Sequence, residues 1–272
     1  MASGNISCLF ALFALFAGPR IAPVATGYAF LRQNGNQNGT LASGEDSRYK
    51  PGVMNASQDR IDKPEPRWQV ILALLAIGGI YLALPPWFIV GPAWLWPGLI
   101  LVLLIPTIMS HRTGRHSLNH ALGILINAII TMALIGSVAL LITALPSHRE
   151  EPLRLLASGA ALWITNVLIF ALWYWRLDGG GPNVRENRRE FGSRTFVFPQ
   201  MQIEKIERGR FNVGGWRPGF VDYLFIAFTT SSTFGPTDAP VLARWAKGLT
   251  MCQIFISLSI VVLLISRAVG IL

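Results

Sequence analysis

The sequence predicts an all-α integral membrane protein. It reads as five transmembrane helices plus one short re-entrant (or sixth) helix, behind a disordered N-terminal extension. Three observations predict this. The 272 residues are 52% hydrophobic and only 14% charged, where soluble domains carry about 25% charge. The apolar residues are clustered, and stretches such as 68–84, 118–145 and 249–266 contain no Asp, Glu, Lys or Arg. A helix needs about 20 apolar residues to cross the hydrocarbon core. Aromatic and basic residues gather at the ends of these stretches, as in Trp173-Tyr174-Trp175-Arg176, where amphipathic rings favour the membrane–water interface.

The net charge is +9 and the pI about 10.3. On a soluble chain this balance points to nucleic acid. Here the basic residues flank apolar runs, so topology and anionic lipid account for them. No nucleic-acid motif is present, and the expected partner is the lipid bilayer. Cys8 and Cys252 form neither a disulfide framework nor a metal-ligand spacing.

Residues 1–66 form the extension. The apolar stretch Cys8 to Ala17 is too short to span, and it lacks the flanks of a signal peptide. Residues 33–60 are rich in Asn, Gly, Gln, Ser and Asp, a composition that cannot bury a core. Met54 opens a plainer beginning, and residues 1–53 read as an upstream extension. Residues 67–176 then hold four spans. The first runs from about Trp68 to Leu84, and prolines at 85, 86 and 92 break the link that follows. The second runs from about Trp94 to Met109 and ends in the basic turn Ser110 to His116. The third, from about Leu118 to Leu145, is the longest. The fourth runs from about Leu153 to Trp175.

Residues 177–219 form the one long hydrophilic loop after the first span. Asp178-Gly179-Gly180-Gly181-Pro182 stops the preceding helix. Eight basic residues follow, from Arg185 to Arg217, and read as a solvated, lipid-facing surface. Phe196-Val197-Phe198 reads as a short strand or an interfacial patch, and Ile203 to Arg208 as a short helix. Alternation of the spans puts the N-terminus, the turn with Arg112 and Arg115, and this loop on one side. That side holds most of the Lys and Arg, so it is predicted cytoplasmic.

Residues 220–272 carry the functional expectation. Phe220 to Thr230 is apolar but short, and a helix of about 12 residues rises only about 18 Å. Its end is rich in hydroxyls, Thr229 to Thr233, and Gly235-Pro236 then stops it. Leu249 to Val269 is a full span. Irregular backbone at membrane depth needs protein or water around it, so a short helix, a polar turn and a full helix suit a re-entrant hairpin. Residues 220–235 crossing as a sixth span is the other reading. The two place Ala243 and Leu272 on opposite sides.

The run Thr230-Ser231-Ser232-Thr233-Phe234-Gly235-Pro236-Thr237-Asp238 resembles the pore loop of tetrameric potassium channels. There Thr-x-x-Thr-Val-Gly-Tyr-Gly-Asp is followed by a proline and an inner helix, and Thr230, Thr233, Gly235 and Asp238 match in register. Pro236 and Thr237 stand where that family has tyrosine and glycine. The resemblance implies backbone carbonyls and hydroxyls facing a monovalent cation, in a homo-oligomer that encircles it. The charge rule has the hairpin entering from the cytoplasm, opposite to that family's loops. From about Trp68 onward the chain also looks like a group of uncharacterised bacterial multi-pass membrane proteins. They share the basic turn, Trp-Tyr-Trp-Arg-Leu-Asp-Gly-Gly and the Phe-Thr-Thr-Ser-Ser-Thr-Phe-Gly-Pro-Thr-Asp ending. That likeness implies the bacterial cytoplasmic (inner) membrane.

Other polar residues have plainer readings. Asn127 and Asn166, inside the third and fourth spans, suit hydrogen bonds between helices better than a pathway. Asp222 suits a helix N-terminus, and Asp238 suits the cap of the last helix. His116 and His120 share a helical face without a third ligand, so no metal is expected. The Ser and Thr run has no histidine near it in sequence, so neither an enzyme nor a cofactor is expected. Ala157 to Ala161 is a small-residue patch suited to close helix contact. A channel-like or permease-like protein is the first function class. A non-conducting membrane scaffold or interaction protein is the second.

Overall fold

The computed structural model describes residues 67–92, 94–99, 102, 116–144, 151–187, 195–203, 216–235 and 239–269. The chain divides into a unit Met1–Arg60, outside the described residues, and a unit Ile61–Leu272. The extension, most of the second span and the basic turn also lie outside them, as do Pro236, Thr237 and Asp238.

The described residues are helical: α1 (Trp68–Ala83), α2 (His116–Ala144), α3 (Pro152–Leu177), α4 (Pro182–Asn187), α5 (Pro199–Gln202), α6 (Phe220–Thr233) and α7 (Arg244–Val269). Short 3-10 turns follow α1 and α3 at Pro86–Phe88 and Asp178–Gly180. The only extended pairing among the described residues is one isolated antiparallel bridge, Phe196 with Val241. Three helices are long and apolar enough to cross a membrane: His120–Ala144, Pro152–Gly180 and Arg244–Val269. Helix α1, at 16 residues, rises about 24 Å and is the shorter apolar helix of the set.

Each boundary has a local cause. Pro152 opens α3 at its first position, where a missing N–H costs nothing. Gly179, Gly180 and Gly181 all take positive φ and end it, a conformation that a Cβ disfavours. The last turn of α3 carries Arg176, a cation where the helix dipole favours one.

Helix α3 is the most buried of the three long helices and sets the direction of the others. At its C-terminal end the Arg176 guanidinium occupies the space where a Cβ on Gly123 of α2 would stand, and His120 lies against Gly181. One level further in, Trp173 Nε1 donates to Thr131 Oγ1 at 2.9 Å. At the other end Leu141 of α2 lines one small cavity together with Leu155 and Leu156 of α3 and Leu263 and Leu264 of α7. Helices α2 and α7 are therefore both antiparallel to α3. Leu264 seats against Gly159, where a Cβ would come within 2.6 Å of its Cδ2. The small-residue patch thus brings α7 close to α3. Helix α1 runs with α2: Arg67, its N-cap, is in electrostatic range of Arg176, and Tyr81 lies beside Ser137. The N-termini of α1, α2 and α7 and the C-terminus of α3 share one end, here called the basic end.

Candidate functional site

Helix α6 ends in Thr230 to Thr233, the described helical part of the run that resembles a pore loop, and its base is fixed at the basic end. Asp222 Oδ2 accepts from Gly219 N at 2.7 Å. The carboxylate thereby caps an N–H that the helix leaves over, which is the helix-terminus role its position suggests. One turn on, Tyr223 Oη donates to Asp178 Oδ2 at 2.6 Å. Asp178 is fully buried. Arg185 donates to the carbonyls of Trp175 (2.7 Å) and Asp178 (2.8 Å), and its guanidinium lies 5.2 Å from the Tyr223 ring centroid. Arg185 is only 5% exposed. It departs from the solvated surface expected of the loop because α3's last carbonyls need donors.

Aromatic rings complete the base. Phe196 meets Tyr174 at 5.0 Å and Tyr223 at 6.2 Å, and Phe198 meets Tyr223 and Trp216 at 5.5 Å each. All four contacts are edge-on, the arrangement the ring quadrupole favours. The expected strand or interfacial patch at Phe196–Phe198 is a single bridge feeding this cluster. Of the helix expected over Ile203–Arg208, only Ile203 is described, in a bend, and the short helix precedes it at Pro199–Gln202.

The tip of α6 lies deep along α3. Phe228 packs edge-on to Trp163 at 5.8 Å, fifteen residues before Asp178 and so about 22 Å along the α3 axis. The chain then comes back. Val197 N donates to Pro240 O at 3.1 Å and Leu242 N to Thr195 O at 2.8 Å, so residues 240–242 lie beside the Phe196 cluster. The segment 220–242 begins and ends at the basic end, with its middle at Trp163. Helices α6 and α7 point the same way, both antiparallel to α3.

The helix stop differs from the expected Gly235-Pro236. Phe234 takes the left-handed conformation (φ 58°, ψ 30°), the one positive-φ non-glycine among the described residues. Proline biases the residue before it to extended backbone, so Gly235, which precedes Pro236, leaves the reversal to Phe234.

The hydroxyls divide into two sets. Thr229, Ser232 and Thr233 turn outward and bond carbonyls of their own helix, Ser232 to Phe228 O at 2.8 Å. Thr233 Oγ1 has two acceptors in reach, Thr229 O at 2.7 Å and Gly235 O at 2.9 Å. Thr230 and Ser231 turn inward and are fully buried. Thr230 Oγ1 has no hydrogen-bond partner among the described residues.

Ser231 belongs to a network that sequence reasoning missed. Gln253, in the middle of α7 and 0% exposed, donates from Nε2 to Ala227 O (2.7 Å) and Ser231 Oγ (2.8 Å). Its Oε1 accepts from Tyr174 Oη at 2.5 Å. Asn166 Nδ2 reaches Gln253 O at 3.3 Å, so this amide bonds between helices. Ser257 Oγ donates to Ser231 O at 2.8 Å, and Trp163 Nε1 donates to Ser257 Oγ at 2.9 Å. The signal was present in the sequence: Gln253 is a lone amide in an apolar span, as Asn166 is. Asn127 is not part of this network. It is buried, and its amide has no partner among the described residues.

No group of three or more His, Cys, Asp or Glu suited to a metal ion occurs among the described residues. No protein-family model, curated protein or solved structure matches the chain.

Proposed function

We propose that this chain is a multi-pass protein of a bacterial cytoplasmic membrane, and that an oligomer of it passes monovalent cations. The basic end faces the cytoplasm, α6 is a re-entrant half-span, and its tip borders a central path. One observation carries the reading: α6 and its return segment start and finish at the same end, while the tip reaches Trp163. Non-helical backbone at that depth needs neighbouring protein or water, and a symmetric assembly around the tip supplies both. The C-terminus of α6 also points inward, and its dipole favours a cation.

Two further observations support the span count and the assembly. Helices α1 and α2 both begin at the basic end, which favours a crossing between them. That is the role of the expected second span. Met251, Phe255, Leu258, Val262, Ile265 and Val269 line one exposed face of α7, at alternating spacings of four and three residues, which suits packing against another helix. The inward burial of Thr230 and Ser231 favours the second reading, a non-conducting scaffold whose turn is structural.

The test is cation flux into liposomes holding the purified full chain. The wild-type protein is expected to dissipate a potassium or sodium gradient. Thr233→Val and Gly235→Val are expected to slow this about tenfold or more, the scale of one lost charge–dipole contact. A wild-type protein that passes neither ion leaves the scaffold. Labelling of single cysteines at Ala243 and Leu272, in a background lacking Cys8 and Cys252, tests the half-span. Ala243 should react from the cytoplasmic face and Leu272 from the outer face, and the reverse pattern means a sixth span.

A further inference from the structure

A half-span anchored only at its base leaves the height of its tip undetermined. We infer that Gln253 is the positioning residue that fixes this height, and that through it Gln253 sets which cation passes. The inference rests on the reading of α6 as a cation-passing half-span.

The geometry is specific to a glutamine. Its amide offers two N–H protons and one carbonyl oxygen, and all of these are engaged: both protons on α6, at Ala227 O and Ser231 Oγ, and the oxygen on Tyr174 Oη of α3. Gln253 thereby ties the last two turns of α6 to α3 and α7 together. Ser257 adds Ser231 O, one of the carbonyls that a helix C-terminus leaves over. Slipping α6 by one residue would move the tip about 1.5 Å, beyond the reach of bonds at 2.7–2.8 Å. Thr233 Oγ1 and Gly235 O, bonded to each other at 2.9 Å, move with the tip. Glutamate at this position keeps the length but sets an acceptor against Ala227 O. Methionine keeps the length and makes none of the bonds.

Two measurements test the inference on the full chain in liposomes or nanodiscs: the potassium-to-sodium flux ratio, and hydrogen exchange of the amides 231–235. Q253E and Q253M are expected to shift the ratio about threefold or more and to speed the exchange, the scale of losing one or two net hydrogen bonds. Q253M provides the reading if Q253E does not fold. Y174F removes the donor to Oε1 and a longer contact to Thr250 Oγ1 while leaving both bonds to α6, and is expected to shift the ratio and the exchange less than Q253M. Faster exchange with a wild-type ratio makes Gln253 merely structural and overturns the selectivity claim. Unchanged exchange overturns the positioning claim outright. If the wild-type chain passes no cation, the transport reading falls, and the exchange measurement still decides whether Gln253 holds the tip.

Discussion

The two ends of α6 are built from different chemistry. The base is a set of edge-on rings around Tyr223, with a buried arginine and a carboxylate bonded into it. The tip has small hydroxyl residues, a left-handed Phe234 and amide and hydroxyl bonds to neighbouring helices. Rings fill volume and resist displacement, whereas hydroxyls exchange acceptors at little cost, as the two acceptors of Thr233 illustrate. The contrast indicates an end anchored by volume and an end held by Gln253 and Ser257, where only outward hydroxyls such as Thr233 exchange acceptors.

Substitutions at each end put that contrast to the test. Arg185→Ala should have the largest effect, because it strips a donor from the α3 carbonyl of Trp175, another from the carbonyl of Asp178 just beyond it, and a cation from the Tyr223 ring. A loss of about 3 kcal/mol is expected in thermal unfolding of the purified protein, and a loss below about 1 kcal/mol would mean the base is no anchor. Tyr223→Phe deletes one hydroxyl bonded to Asp178 and should cost about 2 kcal/mol, read in the same assay. Phe234→Asn should have the smallest effect and the opposite sign. Asparagine tolerates the left-handed region, so a gain of about 1 kcal/mol or less is expected, and a loss would show that the Phe234 ring matters more than its backbone.

Long helices were legible because uncharged runs declare themselves. The expected spans 118–145, 153–175 and 249–269 correspond to helices over 116–144, 152–177 and 244–269. The last begins earlier because Arg244, Trp245 and Lys247 are helical although polar; charge marks where an apolar run ends, not where a helix does. The loop was less legible. Its arginines look alike in sequence, yet Arg185 is buried because its partners lie at the end of α3 and in the turn after it, ten and seven residues back. Gln253 was missed for a related reason: its partners at Ala227, Ser231 and Tyr174 are distant in sequence, and no local pattern marks them. Hydroxyl orientation at the tip was also hidden, since Thr230 and Thr233 differ only in which way the helix turns them.

The bridge between Phe196 and Val241 has a consequence for biogenesis. When α6 leaves the ribosome, Val241, Gln253 and Ser257 have yet to be synthesised or released. The helix then has its aromatic anchor but neither the segment that carries Val241 nor its polar partners on α7. The tip gains its hydrogen-bonded seat only once α7 is in place, so a truncation before Gln253 removes that seat while leaving the aromatic anchor.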